Sequence, residues 1–318
     1  MQVNIIIQQI SVLILLALIG LVATKLNVIQ RELKTGLTRI IFNITLPFLI
    51  ITRISSLDIS KDILISWGLI IIIAAFAIIL FLNIGRLTSR LLHLPPKRAI
   101  VHILHSGFGN IVFLGFPILD ALFPNGEGLL YGIIYFLTQN ILTWTLGIFI
   151  LSGEKQQNKL NHLKKLLNPN TIAFFIGLVM LLTGIKIPDF LFGPLQGLGK
   201  TTMYLAMLYI GALLADINLK SIPNKKSTFT VSMNKLLIGP VILMLLIHLV
   251  LLWIPLDIPQ TALYVIILES AMPCGTVMVI LSRQYNKDDY YATQNMSVST
   301  LLSVITLPFI FFLSQIIL

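Results

Sequence analysis

The amino-acid sequence predicts an all-α polytopic membrane protein of ten transmembrane helices, divided into two inverted five-helix halves. Three observations carry that expectation: an apolar composition, ten apolar windows of membrane length, and basic residues gathered in alternate loops. Hydrophobic residues fill 57% of 318 positions and charged residues only 11%, and mean hydropathy is +0.95. A soluble domain carries about 25% charged residues, so this composition belongs to a chain that spends its length in lipid. The net charge of +10 raises a nucleic-acid reading. Its lysines and arginines sit in short loops, however, with no aromatic–basic stripe and no zinc-finger spacing, which argues against that partner. The lone Cys274 excludes an internal disulfide or a cysteine-rich metal cluster.

Crossing ~30 Å of hydrocarbon takes about 20 apolar residues. Such windows fall at Ile5–Val22, Thr38–Ser56, Leu64–Leu82, Ala99–Phe123 and Leu129–Leu151 in the first half. The second half supplies Asn170–Gly184, Lys200–Ala215, Lys235–Trp253, Thr261–Leu281 and Ala292–Ile317. The first window has no basic residue before it and Lys25 after it, the reverse of a secretory signal. It reads as a retained span with the N-terminus outside.

Charge tests the count. With the first loop cytoplasmic, inner loops and flanks hold 18 of the 22 basic residues, Lys220, Lys225, Lys226 and Lys235 among them. The outer side keeps only Arg53, Lys61, Lys186 and Lys200. That is the bias the positive-inside rule demands, and it places both termini outside a cell (plasma) membrane. An odd number of spans per half makes the second half start on the opposite side, so a duplication would be inverted. The expected organisation is residues 1–151 as the first five-helix repeat, 152–169 as a cytoplasmic linker, and 170–318 as the second repeat.

The fourth and ninth windows are interrupted. One reads Gly107-Phe108-Gly109-Asn110-Ile111-Val112-Phe113-Leu114-Gly115-Phe116-Pro117, the other Glu269-Ser270-Ala271-Met272-Pro273-Cys274-Gly275-Thr276. Unwound backbone survives at membrane depth only beside protein or a cavity. Paired interruptions in two halves point to the central site of a secondary transporter. A broken helix exposes N–H groups at one new end and carbonyls at the other, with about half a charge of each sign. Two positive ends near each other favour an anion, above all a carboxylate. The bland alternative is that Gly and Pro only kink the spans for packing.

The candidate substrate-binding residues are therefore Gly109, Asn110, Gly115 and Pro117 at the first break, and Ser270, Pro273, Cys274, Gly275 and Thr276 at the second. Asn43 in the second window and Gln139 and Asn140 in the fifth join them as polar groups inside apolar spans; interhelical hydrogen bonding explains such residues equally well. Glu269 is the acidic residue well inside a window, where an ionisable side chain is costly and a functional candidate by default. It is the ion-coupling candidate, for H+ or Na+, against a carboxylate merely facing water or a neighbour. Asp120 and Asp216 lie near span ends and read as snorkelling residues. His102, His105 and His248 lack a metal-ligand spacing. No catalytic residue, metal or cofactor is expected.

With these residues in view, the chain resembles the auxin efflux carrier family, which includes bacterial malate and malonate permeases and plant PIN-type carriers. The segment Gly109-Asn110-Ile111-Val112-Phe113-Leu114-Gly115-Phe116-Pro117 is similar to the family's Asn-x-x-x-x-Gly-x-Pro stretch. Met272-Pro273, Arg283-Gln284-Tyr285-Asn286, Ser299-Thr300-Leu301-Leu302-Ser303 and Thr306-Leu307-Pro308 follow in order, with Leu46-Pro47 and Asn168-Pro169 upstream. The resemblance implies inverted repeats with crossed, broken fourth and ninth helices, as in sodium/proton antiporters and bile-acid symporters, with substrate carboxylates beside the crossing. Cys274 stands where plant carriers often have glutamine, and their long central loop is absent, so a small bacterial-type organic-acid permease fits better. The expected partners are a small organic anion and the lipid bilayer, with a homodimer admitted. The rival readings are a sodium-coupled bile-acid or sterol symporter, a channel or ligand sensor on the same fold, and, least, an intramembrane enzyme.

Overall fold

A computed structural model describes residues 2–57, 61–123, 125–153, 167–215, 225–254 and 258–318. These residues are helical, joined by short turns. The helices are α1 (Gln2–Lys25), α2 (residues 31–55), α3 (Lys61–Leu91), α4 (Pro96–Gly107), α5 (Ile111–Leu122) and α6 (Glu127–Ser152). There follow α7 (Pro169–Thr183), α8 (Asp189–Ala215), α9 (Lys225–Trp253), α10 (Gln260–Ser270), α11 (Thr276–Gln284) and α12 (Asp289–Ile317). Helix lies in every one of the windows read from the sequence. Among the described residues, six helices are long and apolar enough to cross a membrane: the second, third and fifth windows contribute α2, α3 and α6, and the seventh, eighth and tenth α8, α9 and α12. Ser11–Lys25, Ile111–Leu122 and Pro169–Thr183 are shorter apolar helices.

Two boundaries need correction. The seventh window was expected to open at Lys200, but α8 begins at Asp189 and runs through Pro194. Pro194 sits in the second turn of α8, where its missing N–H leaves the Phe190 carbonyl without its helical donor. The eighth was expected to open at Lys235, yet α9 begins ten residues earlier, at Lys225. At 1.5 Å rise per residue, that moves Lys235 about 15 Å along the helix. The expected linker (residues 152–169) lies largely outside the described residues, as do Asp216 and Lys220.

Three helices widen into a π turn just before a proline. Ile41–Thr45 precedes Leu46-Pro47, Ile111–Gly115 precedes Phe116-Pro117, and Asn234–Ile238 precedes Gly239-Pro240. A proline ring clashes with the carbonyl four residues back and supplies no N–H; one extra residue in the turn relieves both faults without ending the helix.

The chain forms two compact units, each drawing segments from both halves of the sequence. The first holds Met1–Ile65, Val112–Ile133 and Leu163–Asp216. Its helices meet at glycines. A Cβ on Gly211 would strike the Ala17 carbonyl, and one on Gly20 the Leu208 carbonyl, so α1 and α8 touch backbone to backbone. Gly199 lies against the Leu49 backbone at 2.8 Å from where its Cβ would be. Such close approach is how membrane helices gain dispersion contacts that lipid cannot match. A buried Thr202-to-Thr45 hydroxyl bond of 2.9 Å links α8 and α2, and Arg53 pairs with Asp120 at 2.9 Å. Asp120 therefore has a partner as well as a place near a helix end.

The second unit holds Ser66–Ile111, Ile134–His162 and Ile217–Leu318. Its apolar packing gathers Ile78, Leu82, Leu104, Phe108, Ile148 and Leu281. It also encloses a large share of the buried polar side chains, and these surround the place where α4 ends and α11 begins.

Candidate functional site at the helix break

Helix α4 stops at Gly107 and α5 starts at Ile111; α10 stops at Ser270 and α11 starts at Thr276. The intervening strands of backbone pair as an isolated antiparallel bridge, Gly109 with Cys274. Asn110 N–H donates to Pro273 O at 2.7 Å, and Gly275 N–H to Phe108 O at 3.0 Å. Glycine leaves both sides of this bridge uncrowded. A Cβ on Gly275 would lie 3.0 Å from Gly109 O, and one on Gly109 would lie 3.2 Å from the Lys235 side chain.

Backbone polar groups in an apolar slab must be paired, and here side chains finish what the bridge leaves undone. Gln139 clamps Gly109 with both ends of its amide: Oε1 accepts from Gly109 N–H and Nε2 donates to Gly109 O, each at 2.9 Å. The Cys274 N–H donates to Ser299 Oγ at 3.0 Å. The Cys274 thiol is fully buried and directed at His105 O, 3.6 Å away. Ser270 donates its hydroxyl to Ile267 O at 2.7 Å, one turn back.

The remaining groups are left over. Asn110 is 4% exposed and its amide Nδ2 has no hydrogen-bond partner. The Thr276 hydroxyl, at the first position of α11, is likewise buried without a partner, and Gly275 before it provides no side-chain cap. Glu269 is 0% exposed with neither carboxylate oxygen hydrogen-bonded. Buried polar groups are nearly always satisfied, and in this unit the unpartnered set also includes both His105 ring nitrogens, both ends of the Asn295 amide and the Thr306 hydroxyl.

The second unit thus brings together Gly109, Asn110, Gln139, Glu269, Ser270, Pro273, Cys274, Gly275 and Thr276. Asn140 lies one residue from the clamp, its Oδ1 accepting from Trp144 Nε1 at 3.1 Å. Asn43 belongs to the first unit, exposed, with its amide donating to Arg39 O at 2.9 Å. Gly115 and Pro117 also fall in the first unit, buried in α5 beyond the break. Two surface cavities lie away from the bridge. One of about 410 Å³ is lined by Lys225, Lys226, Thr228, Phe229 and Val298; the other, about 370 Å³, by Ser55, Leu57 and the end of α7.

Sequence reasoning missed Lys235. Counted as a loop-side cation, it is 0% exposed, and its Nζ donates to Ser270 O at 2.9 Å and to Gly107 O at 3.3 Å. The π turn of α9 carries it, and its neighbour Asn234 is held by a bond to Thr88 Oγ1 at 2.8 Å. Thr88 in turn meets His102 Nε2 at 2.9 Å, and His102 Nδ1 meets the Tyr291 hydroxyl at 2.9 Å. His102 is accordingly a structural link; His105 is buried and His248 exposed. One signal was available: no glycine or proline separates Lys225 from Gly239, so nothing stops a helix from starting well before Lys235.

Comparisons with known proteins agree on one class. The profile of the family described as "Membrane transport protein" matches residues 5–311. A protein of Methanothermobacter thermautotrophicus, described as an uncharacterized transporter, is 27% identical over 304 residues, 94% of each chain. Another uncharacterized transporter, from Methanocaldococcus jannaschii, is 23% identical over 302 residues, 93% of this chain and 94% of its own. With nearly its whole length matched and its helices apolar enough for lipid, this chain belongs to the auxin efflux carrier-like family of membrane transport proteins.

Proposed function

We propose that this transporter is a secondary permease for organic anions, small carboxylates such as malate, which bind at the break shared by α4–α5 and α10–α11 and cross by alternating access. One observation carries the reading. Two helices, α5 and α11, begin beside the Gly109–Cys274 bridge, and the buried Asn110 amide and Thr276 hydroxyl next to those beginnings have no partner. Helix N-termini favour negative charge, and an amide N–H and a hydroxyl give a carboxylate directional donors without a permanent charge. The same reading makes the family membership concrete as ten crossings in two inverted repeats, with both termini outside the plasma membrane.

An interior-negative potential acts on a monovalent anion with about 2.3 kcal/mol per 100 mV. It favours exit, so uptake needs coupling or exchange. Glu269, buried and unpartnered, is the coupling group. The deciding experiment reconstitutes the protein in liposomes and offers labelled malate and a bile acid side by side under imposed pH, Na+ and voltage gradients. Saturable malate flux with trans-stimulation supports the proposal. Bile-acid uptake driven by Na+ replaces it with the symporter reading, and non-saturating flux with a channel.

A further inference from the structure

Every helix that ends in lipid leaves carbonyls without donors and about half a negative charge at that end. In the second unit two such ends are brought to one point. Gly107 closes α4 and Ser270 closes α10, and Glu269 adds a carboxyl one residue before the second end, fully buried and unpartnered. Two main-chain carbonyls with a carboxylate are an oxygen set of the kind that binds hard cations.

That place is filled from within. Lys235 Nζ lies 2.9 Å from Ser270 O and 3.3 Å from Gly107 O. The face of the Phe81 ring is 5.1 Å from the same nitrogen, a favourable contact for a cation. Lys235 and Glu269 are near enough for their charges to interact, although they form no direct pair. Room for the side chain comes from Gly109, whose Cβ would lie 3.2 Å from both Lys235 Cε and Nζ.

We infer that Lys235 is a tethered counter-cation: its ammonium group fills the oxygen-lined position between the ends of α4 and α10 that a free monovalent metal ion would otherwise have to neutralise. The inference deepens the transport reading, because a carrier whose cation is covalently attached needs no Na+ at this position, and coupling at Glu269 falls to the proton. It supplies a specificity element for the coupling ion and a positioning residue for the break.

The test does not depend on flux. The melting temperature of the purified protein in detergent is measured in N-methylglucamine, NaCl, KCl and methylammonium chloride at constant ionic strength. Wild-type protein melts within about 2 °C in all four, since nothing vacant binds the smaller ions. Lys235→Ala melts lower and regains about 5 °C or more in Na+ or methylammonium, while Lys235→Arg responds to neither. If Lys235→Ala does not fold, the double variant Lys235→Ala/Glu269→Gln, with the carboxylate neutralised, takes its place: a higher melting temperature in Na+ or methylammonium than in N-methylglucamine supports the inference, and equal melting in all four salts overturns it. A wild-type protein stabilised by Na+, or a folded Lys235→Ala indifferent to every cation, overturns the inference. Absence of malate flux with the cation pattern intact would overturn only the proposed substrate.

Discussion

In the first compact unit, helices approach through glycines: Gly20 and Gly211 bring α1 onto α8, and Gly199 brings α8 onto α2. In the second unit, two segments meet through the hydrogen-bonded bridge of Gly109 and Cys274, ringed by Gln139, Ser299, Lys235 and Glu269. The first arrangement rests on dispersion and shape, for which the penalty of error is steric. The second rests on paired polar groups in an apolar surrounding, for which the penalty is an unsatisfied donor or charge. A scaffold can be made of the former alone. A site needs the latter, because only unsatisfied polarity gives a solute something to bind.

The sharpest way to break the contrast is steric. Gly211→Leu places a side chain where the Ala17 carbonyl stands, and overpacking of this kind costs about 1–3 kcal/mol or more. It should abolish monodisperse protein, as read by size-exclusion chromatography. Gln139→Ala comes next, leaving the N–H and C=O of Gly109 unpaired at about 1–3 kcal/mol each. It should lower the melting temperature by several degrees and flux further still; Gln139→Glu, which keeps the acceptor and loses the amide donor, should recover only part.

Asn110→Ala should leave expression and melting intact, since its Nδ2 makes no bond to lose, yet weaken anion binding about tenfold, the value of one directed hydrogen bond. Unchanged affinity in a competition assay would remove Asn110 from the site. Glu269→Gln should retain the fold and flatten the pH dependence of flux measured in liposomes; an unaltered profile excludes it from coupling. The smallest effect belongs to the first unit. Arg53 and Asp120 are partly exposed, 25% and 37%, so Arg53→Ala should cost at most about 1 kcal/mol and leave flux unchanged.

The legibility of these features follows their range along the chain. The interruptions at residues 108–110 and 271–275 were visible because glycine and proline act on their own backbone. The Glu269 carboxyl was conspicuous because an acid inside an apolar run costs free energy whatever surrounds it. Lys235 was not, because a lysine nine residues after the Lys225-Lys226 pair looks like one more loop-side charge until the helix beginning at Lys225 is seen. Gln139 was singled out only as a polar residue in a span; that it grips Gly109 depends on a partner 30 positions away. Asn43 met the same sequence criteria and sits in the other unit, bonded to its own helix.

Composition and hydropathy alone determined that this is a helical membrane chain, which segments are apolar helix, and which two are interrupted, since these are matters of local hydropathy and backbone sterics; they did not determine where α8 and α9 begin. Tertiary structure decided which polar groups meet at the interruption, that two helix ends share one lysine, and how segments of both halves assort into units. Those outcomes depend on contacts between distant residues, and no local pattern encodes which buried donor will find which acceptor.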